Sequence, residues 1–110
     1  MKQLNSGDEL LAVFEALAHP LRLKIIEQLT RQQQYVSQLA RDVGISRPLL
    51  YLHLKKLEEA NLIQGHSEIL ESGKAAKYYT LQPFDFDLNA QLIAQLAPSL
   101  TLKKKKEHSC

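Results

Sequence analysis

Apolar residues along this chain fall into blocks with two different periods. Ser6-Gly7-Asp8-Glu9 has the S-x-x-E form of a capping box, and apolar residues follow at positions 10, 13, 14 and 17. That pattern predicts a first helix over 7–18. His19-Pro20 interrupts it, because a residue before proline avoids the α region. Pro20 suits a first helical turn and predicts a second helix over 20–31, with Leu21, Ile25, Ile26 and Leu29 inward. "RQQQ" reads as a polar connection. Val36, Leu39, Ala40 and Val43 then stand at i, i+3, i+4 and i+7, a short third helix that Gly44 ends. Ser46 opens a fourth helix over 47–60. After Asn61 the texture changes. "LIQGHSEILE" and "KAAKYYTL" have strand character, and "SGK" is the turn between them, where Gly73 supplies a positive φ. Pro83 closes this 62–81 hairpin. "FDFDLNAQLIAQLAPSL" returns to helix, with Leu88, Leu92 and Leu96 at i, i+4 and i+8, Ile93 beside them, and Pro98 as the stop.

The expected fold class is mainly α with a small β-hairpin: four helices, two strands and a fifth helix. Helix 3, a tight glycine turn and helix 4 together make a helix-turn-helix, with the hairpin as its wing. One domain over 1–102 is expected to carry both DNA binding and dimerisation, followed by a basic, frayed tail over 103–110.

Helix 4 carries more leucine than one buried stripe requires. On a wheel of about 100° per residue, Leu50, Leu54, Leu57 and Asn61 share the core side, with His53 at its edge. The opposite side collects Pro48, Tyr51, Leu52, Lys55 and Glu59, with Arg47 and Lys56 toward the margins. Ser46 is a good N-cap, and Pro48 is tolerated where its missing N–H costs little. The arrangement meets the needs of duplex reading. Arg47 has the fork that pairs with guanine O6 and N7, and Leu52 suits a thymine methyl. Lys55 and Lys56 suit phosphates, and Tyr51 suits either target. The competing reading packs Tyr51 and Leu52 beneath the hairpin or a neighbouring helix.

Charge sharpens this picture. The net charge is +2, but residues 20–56 hold seven Lys/Arg against two acids, a local balance of +5. Lys103 to Lys106 form a second basic block. Basic charge gathered in one stretch suits a polyanion, and its bland alternative is a solvated surface. With 45% hydrophobic and 24% charged residues the chain is not mainly disordered. No apolar run approaches the ~20 residues of a membrane span, so no membrane partner is expected. The N-terminal stretch has no apolar h-region, so no signal peptide is expected. A single cysteine, Cys110, makes no internal disulfide and fits a reducing cytoplasm.

The segments "ALAHPLRLKII" (16–26), "SQLARDVGIS" (37–46), "HLKKLEEANLI" (53–63) and "KYYTL" (77–81) occur here in one order and spacing. Across residues 10–82 the chain resembles the ArsR/SmtB-type winged-helix transcription regulators. The resemblance implies a symmetric homodimer with each recognition helix in a major groove and the wing against backbone or minor groove. It makes Lys74 and Lys77 candidate phosphate contacts, or else lysines protecting a strand edge. It places Gln38 and Arg41 near the DNA backbone, with Ser37 at the start of helix 3. Arg22 braces the fold. The candidate DNA-contact set is therefore Ser37, Gln38, Arg41, Ser46, Arg47, Pro48, Tyr51, Leu52, Lys55, Lys56, Lys74 and Lys77.

Many members of that family sense metal through a Cys-x-Cys pair at the start of helix 3, since thiolates bind soft and borderline cations. Tyr35 and Ser37 occupy those positions here, so no metal or cofactor is expected. Residues 86–100 contain Asp87 but no His, and His108 and Cys110 make a poor site behind four lysines. His19 is expected to hydrogen-bond at the helix 1–2 corner, His53 to be structural, and His66 has no assignment. Gly-rich phosphate loops and an H-E-x-x-H motif are lacking, so an enzyme is not expected.

The terminal helices carry apolar residues that a domain this small struggles to bury alone. Leu10, Leu11, Phe14, Leu88, Leu92, Ile93 and Leu96 are the expected homodimer contacts, with helix 5 covering its own core as the alternative. A two-fold dimer would set two recognition helices about one DNA turn, ~34 Å, apart on an inverted repeat. The sequence therefore points to a homodimeric, sequence-specific regulator, in character a promoter-occluding repressor, whose effector is not written in its residues. The alternative is a protein-interaction module using the Leu49/Tyr51/Leu52 surface.

Overall fold

The computed structural model describes residues 4–102; the basic block at 103–106, His108 and Cys110 lie outside them. The described residues form five α-helices and a three-stranded sheet. Helix α1 (Gly7–Leu17) starts at the expected cap, where Ser6 Oγ accepts the Glu9 N–H at 3.2 Å. Glu9 returns a bond to the N–H of Asn5, one residue ahead of the cap, at 2.7 Å. Helix α2 (Pro20–Arg31) is capped by His19, whose Nδ1 accepts from the Leu21 N–H at 3.1 Å. His19 thus makes the corner hydrogen bond that its position suggested.

Strand β1 (Gln34–Tyr35) leads directly into α3 (Val36–Val43). Gly44 ends α3 in the left-handed region, φ 84°, with its N–H on the Ala40 carbonyl. Helix α4 (Arg47–Glu59) follows, and Ser46 Oγ faces the Leu49 N–H at 3.4 Å. Strands β2 (Ile63–Ile69) and β3 (Ala75–Leu81) make the hairpin, with Gly73 at φ 87° in its turn. Helix α5 (Ala90–Leu96) runs into a 3-10 turn, Ala97–Ser99.

The core lies beneath the helix-turn-helix. Val13 and Ala16 of α1, Ile25 and Leu29 of α2, and Leu39 of α3 close over Leu50, Leu54 and Leu57 of α4. Leu62, Ile63 and Tyr79 bring the base of the hairpin into the same cluster. The three α4 leucines are fully buried, as the wheel requires.

Three expectations need correction. "RQQQ" is not merely a connection: Gln34 is buried and pairs with Tyr79, making β3 the middle strand of an antiparallel β1-β3-β2 sheet. Asn61 is not a core residue. Helix α4 stops at Glu59 and Asn61 turns the exposed chain at φ 61°, a conformation Asn tolerates better than most residues. Leu88 is not on α5, because Asn89 caps the helix by accepting the Leu92 N–H on Oδ1 at 2.8 Å. Leu10 and Leu96 are buried within the protomer, whereas Leu11, Phe14, Leu88 and Ile93 are exposed.

The C-terminal end of the described chain is clasped onto α1. The Gly7 N–H donates to Ser99 Oγ at 2.8 Å, and Ser99 Oγ donates to the Leu96 carbonyl at 2.8 Å. Asp8 takes two bonds from Thr101, from its N–H at 2.9 Å and its hydroxyl at 2.7 Å. Those bonds hold the Asp8 carboxyl below its ordinary range. Only glycine fits at position 7: a Cβ there would lie 2.6 Å from the Leu96 carbonyl oxygen and 2.7 Å from Leu100 Cγ.

Candidate nucleic-acid interface

The capped start of α4 projects from the body of the protein. Arg47, Pro48, Lys55 and Lys56 are exposed, Tyr51 is 42% exposed and Leu52 is 64% exposed. The reading that buries Tyr51 and Leu52 beneath the hairpin is therefore excluded. The fully buried Leu50, Leu54 and Leu57 fix the helix from behind, so the outer face is free without being loosely held.

Between this helix and the wing runs an open groove of about 620 Å³. Tyr35 lines it from the end of β1, Ser37, Gln38 and Arg41 from α3, Arg47 and Tyr51 from α4, and Ser67, Leu70, Ala75 and Lys77 from the wing. Among the described residues, three cations line this groove and no carboxylate does. Two nearby acids accept hydrogen bonds from residues of the groove wall. Asp42 accepts from the Gln38 side-chain amide at 2.8 Å, and Gln38 Oε1 accepts from Arg41 at 2.8 Å, so one relay holds both long side chains in place. Glu68 accepts the Tyr35 hydroxyl at 3.0 Å, and this bond raises the Tyr35 hydroxyl above its ordinary value. The Lys77 ammonium stands 5.6 Å over the Tyr79 ring, a cation–π placement that supports its stem against the buried base of the sheet. Burial pushes the Tyr79 hydroxyl up, and the Glu58 carboxylate adds to that shift.

The structure thus gathers Ser37, Gln38, Arg41, Arg47, Tyr51 and Lys77 around one groove. Ser46, Pro48, Leu52, Lys55, Lys56 and Lys74 do not line it; all are exposed, on α4 and its cap or, for Lys74, in the wing turn. Sequence reasoning missed Tyr35, Ser67, Leu70 and Ala75. Strand alternation could have found two of them, since Ser67 pairs with Lys77 and Ala75 with Ile69 on one sheet face. Tyr35 had no such signal, because a two-residue strand has no period.

Behind α4, His53 is buried and its ring centroid lies 4.5 Å from that of His19. Burial, then the neighbouring His19 and Arg22, lower the His53 pKa. Arg22 is half-buried on α2, and its Nε finds no partner among the described residues, in keeping with a place in the fold rather than on the DNA face. His66 bonds Thr80 Oγ1 at 2.9 Å and stacks on Tyr78 at 4.9 Å, a structural place within the wing.

The model of the bacterial regulatory protein arsR family matches residues 19–64, which span the helix-turn-helix. An HTH-type transcriptional regulator of Methanocaldococcus jannaschii is 37% identical over 82 residues, covering 74% of this chain and 85% of the relative. The chain belongs to the ArsR family. A crystal structure of another ArsR family transcriptional regulator superimposes with a TM-score of 0.59 at 27% identity, covering 68% of this chain and 77% of that one. The homodimeric winged helix-turn-helix DNA-binding domain of a Mycobacterium bovis protein shares the fold, with a TM-score of 0.60 at 24% identity and coverage of 67% and 64%. As an ArsR-family winged helix-turn-helix transcriptional regulator, this protein is not an enzyme.

Within this ArsR-family protein, the two positions that carry thiolates in many metal sensors hold the hydrogen-bonded Tyr35 and the groove residue Ser37. Among the described residues, no three His, Cys, Asp or Glu side chains converge to hold a metal ion. No described helix is long and apolar enough to cross a membrane.

Proposed function

We propose that this ArsR-family protein is a cytoplasmic homodimer that binds an inverted-repeat operator and represses by occupying the promoter. The observation that carries the reading is the acid-free groove. Arg41, Arg47 and Lys77 line a channel open to solvent, with the exposed N-terminal half of α4 as one wall. In this reading Arg47, Tyr51 and Leu52 face base edges, while Arg41, Lys77, Lys55, Lys56 and Lys74 face phosphates. Ser37 and Gln38 hold the register at the backbone, and Ser46 and Pro48 shape the helix end. The exposed Leu11, Phe14, Leu88 and Ile93, with the half-buried Leu92, supply an apolar seam for a second copy. The homodimeric state of the Mycobacterium bovis relative supports that pairing.

Selection of preferred duplexes from a random pool tests the reading. Recovery of a two-fold inverted repeat with half-sites about one helical turn apart is the expected result. No duplex affinity even at low salt would overturn it.

The exposure of Leu49 (40%) and Leu52 (64%) favours a second reading, in which this face holds a protein partner. Salt titration separates the two. Duplex binding through six or more phosphates weakens steeply with salt, whereas an apolar protein interface strengthens or stays level.

A further inference from the structure

The wing meets the body of the protein unevenly. At its base, Ile63 and Tyr79 are buried and the sheet belongs to the core. Beyond the His66–Tyr78 pair, β2 and β3 run outward as a two-stranded ribbon, a structure of marginal stability by itself. Its far wall nevertheless lines the groove through Ser67, Ala75, Ala76 and Lys77. A ribbon left to flex would vary the groove's width and the position of the Lys77 ammonium.

One side chain from outside the hairpin reaches this ribbon. Tyr35 sits opposite Tyr78 on β3, their rings edge-to-face at 5.7 Å, and its hydroxyl extends past β3 to Glu68 on the far strand. Glu68 pairs with Ala76, so the bond lands two positions further out along β3 than Tyr35's own register. Among the described residues it is the one side-chain hydrogen bond between the β2–β3 hairpin and the rest of the protein. Tyr35 is also the residue from which α3 begins, and it lines the groove. The bond therefore ties the groove's far wall to its near one.

We infer that Tyr35 and Glu68 act as a positioning pair that fixes the wing, and with it Lys77, at the distance from α3 and α4 that a DNA strand requires. This deepens the duplex-binding reading and rests on it. The pair also explains an acid beside a cationic groove. A wing carboxylate would repel phosphate by simple charge, but here it holds the wing by accepting the Tyr35 proton.

The experiment measures duplex affinity against salt for the full chain, Tyr35→Phe, Glu68→Gln and the double variant, together with amide exchange across Ser67–Ala76 in the free proteins. If the pair positions the wing, each single variant binds three- to tenfold more weakly, and the double variant is no weaker than either single one. Each flattens the salt slope by about one unit per protomer as Lys77 leaves the phosphate. Wing amides exchange faster in all three variants. Pure charge predicts the opposite sign for Glu68→Gln, so equal or tighter binding by that variant overturns the inference. Additive losses, an unchanged slope or unchanged wing exchange do the same. A wild-type chain without duplex affinity falls on the DNA reading, and the exchange data then decide whether the pair holds the wing.

Discussion

Replacing Arg41 with alanine tests the groove most directly, because the expected size follows from counting charges. Arg41, Lys55, Lys56, Lys74 and Lys77 are assigned to phosphate in each protomer, so a two-headed complex brings about ten such contacts to the duplex. With about 0.9 counterion released per phosphate neutralised, log affinity should fall with log salt at a slope of about −9. Raising salt from about 50 to about 200 mM then costs on the order of a hundred-thousandfold in affinity. Arg41→Ala removes one contact per head, leaving about eight, a slope of about −7 and a loss of about ten-thousandfold over the same range. The fold should barely notice. Arg41 is exposed, and among the described residues its side chain bonds only the exposed Gln38, a surface interaction worth less than about 1 kcal/mol. Fluorescence anisotropy on a selected duplex at five or so salt concentrations gives both slopes, and thermal unfolding gives the control. Parallel wild-type and variant lines would refute the placement of Arg41 on phosphate. So would a shallow wild-type slope, near −2, which would leave most of the groove away from the DNA.

Arg47→Ala should relax preference at one base position by about 1–3 kcal/mol in a duplex selection; a uniform loss across all sequences would make Arg47 a phosphate contact instead. Ile93→Asp puts a charge on the exposed apolar seam and should yield monomers in sedimentation while leaving the helical circular dichroism unchanged, so an intact dimer would remove α5 from the interface. Burial lowers the His53 pKa below its ordinary 6.5, so the unfolded chain takes up the proton first; this contribution to stability is whole above about pH 6.5 and lost as pH falls toward the folded value. Urea unfolding at stepped pH should therefore show wild-type stability dropping more steeply than that of His53→Gln below that pH. Gly44→Ala meets no neighbouring atom but must hold φ near 84°, which should cost about 1–2 kcal/mol in unfolding free energy without a change in duplex specificity.

The helices were legible because their ends are written in local chemistry. Ser6, Pro20, Gly44 and Ser46 each act within a turn of where they stand, and the structure places α1 to α4 to within a residue of those signals. Errors arose where a single distant partner decided the outcome. Gln34 looks like solvent-facing linker until Tyr79 pairs with it from 45 positions away. Leu88 fits an i, i+4 ladder with Leu92, but Asn89 competes as a cap and wins, because its side chain satisfies the Leu92 N–H. Half of the groove followed the same rule. Arg47 and Tyr51 announce themselves on a helical wheel, whereas Tyr35 and Ser67 become neighbours of Arg41 and Lys77 only after the sheet closes.

The clasp between α1 and the segment after α5 has a mechanical consequence. With Asp8 fastened to Thr101 and Gly7 to Ser99, the two ends of the described chain are joined as one lever rather than two independent rods. That lever also leans on α4 through the far side of α1, where Val13 and Ala16 meet the α4 leucines. Packing therefore runs without a break from the turn after α5 through α1 to the back of the groove-lining helix.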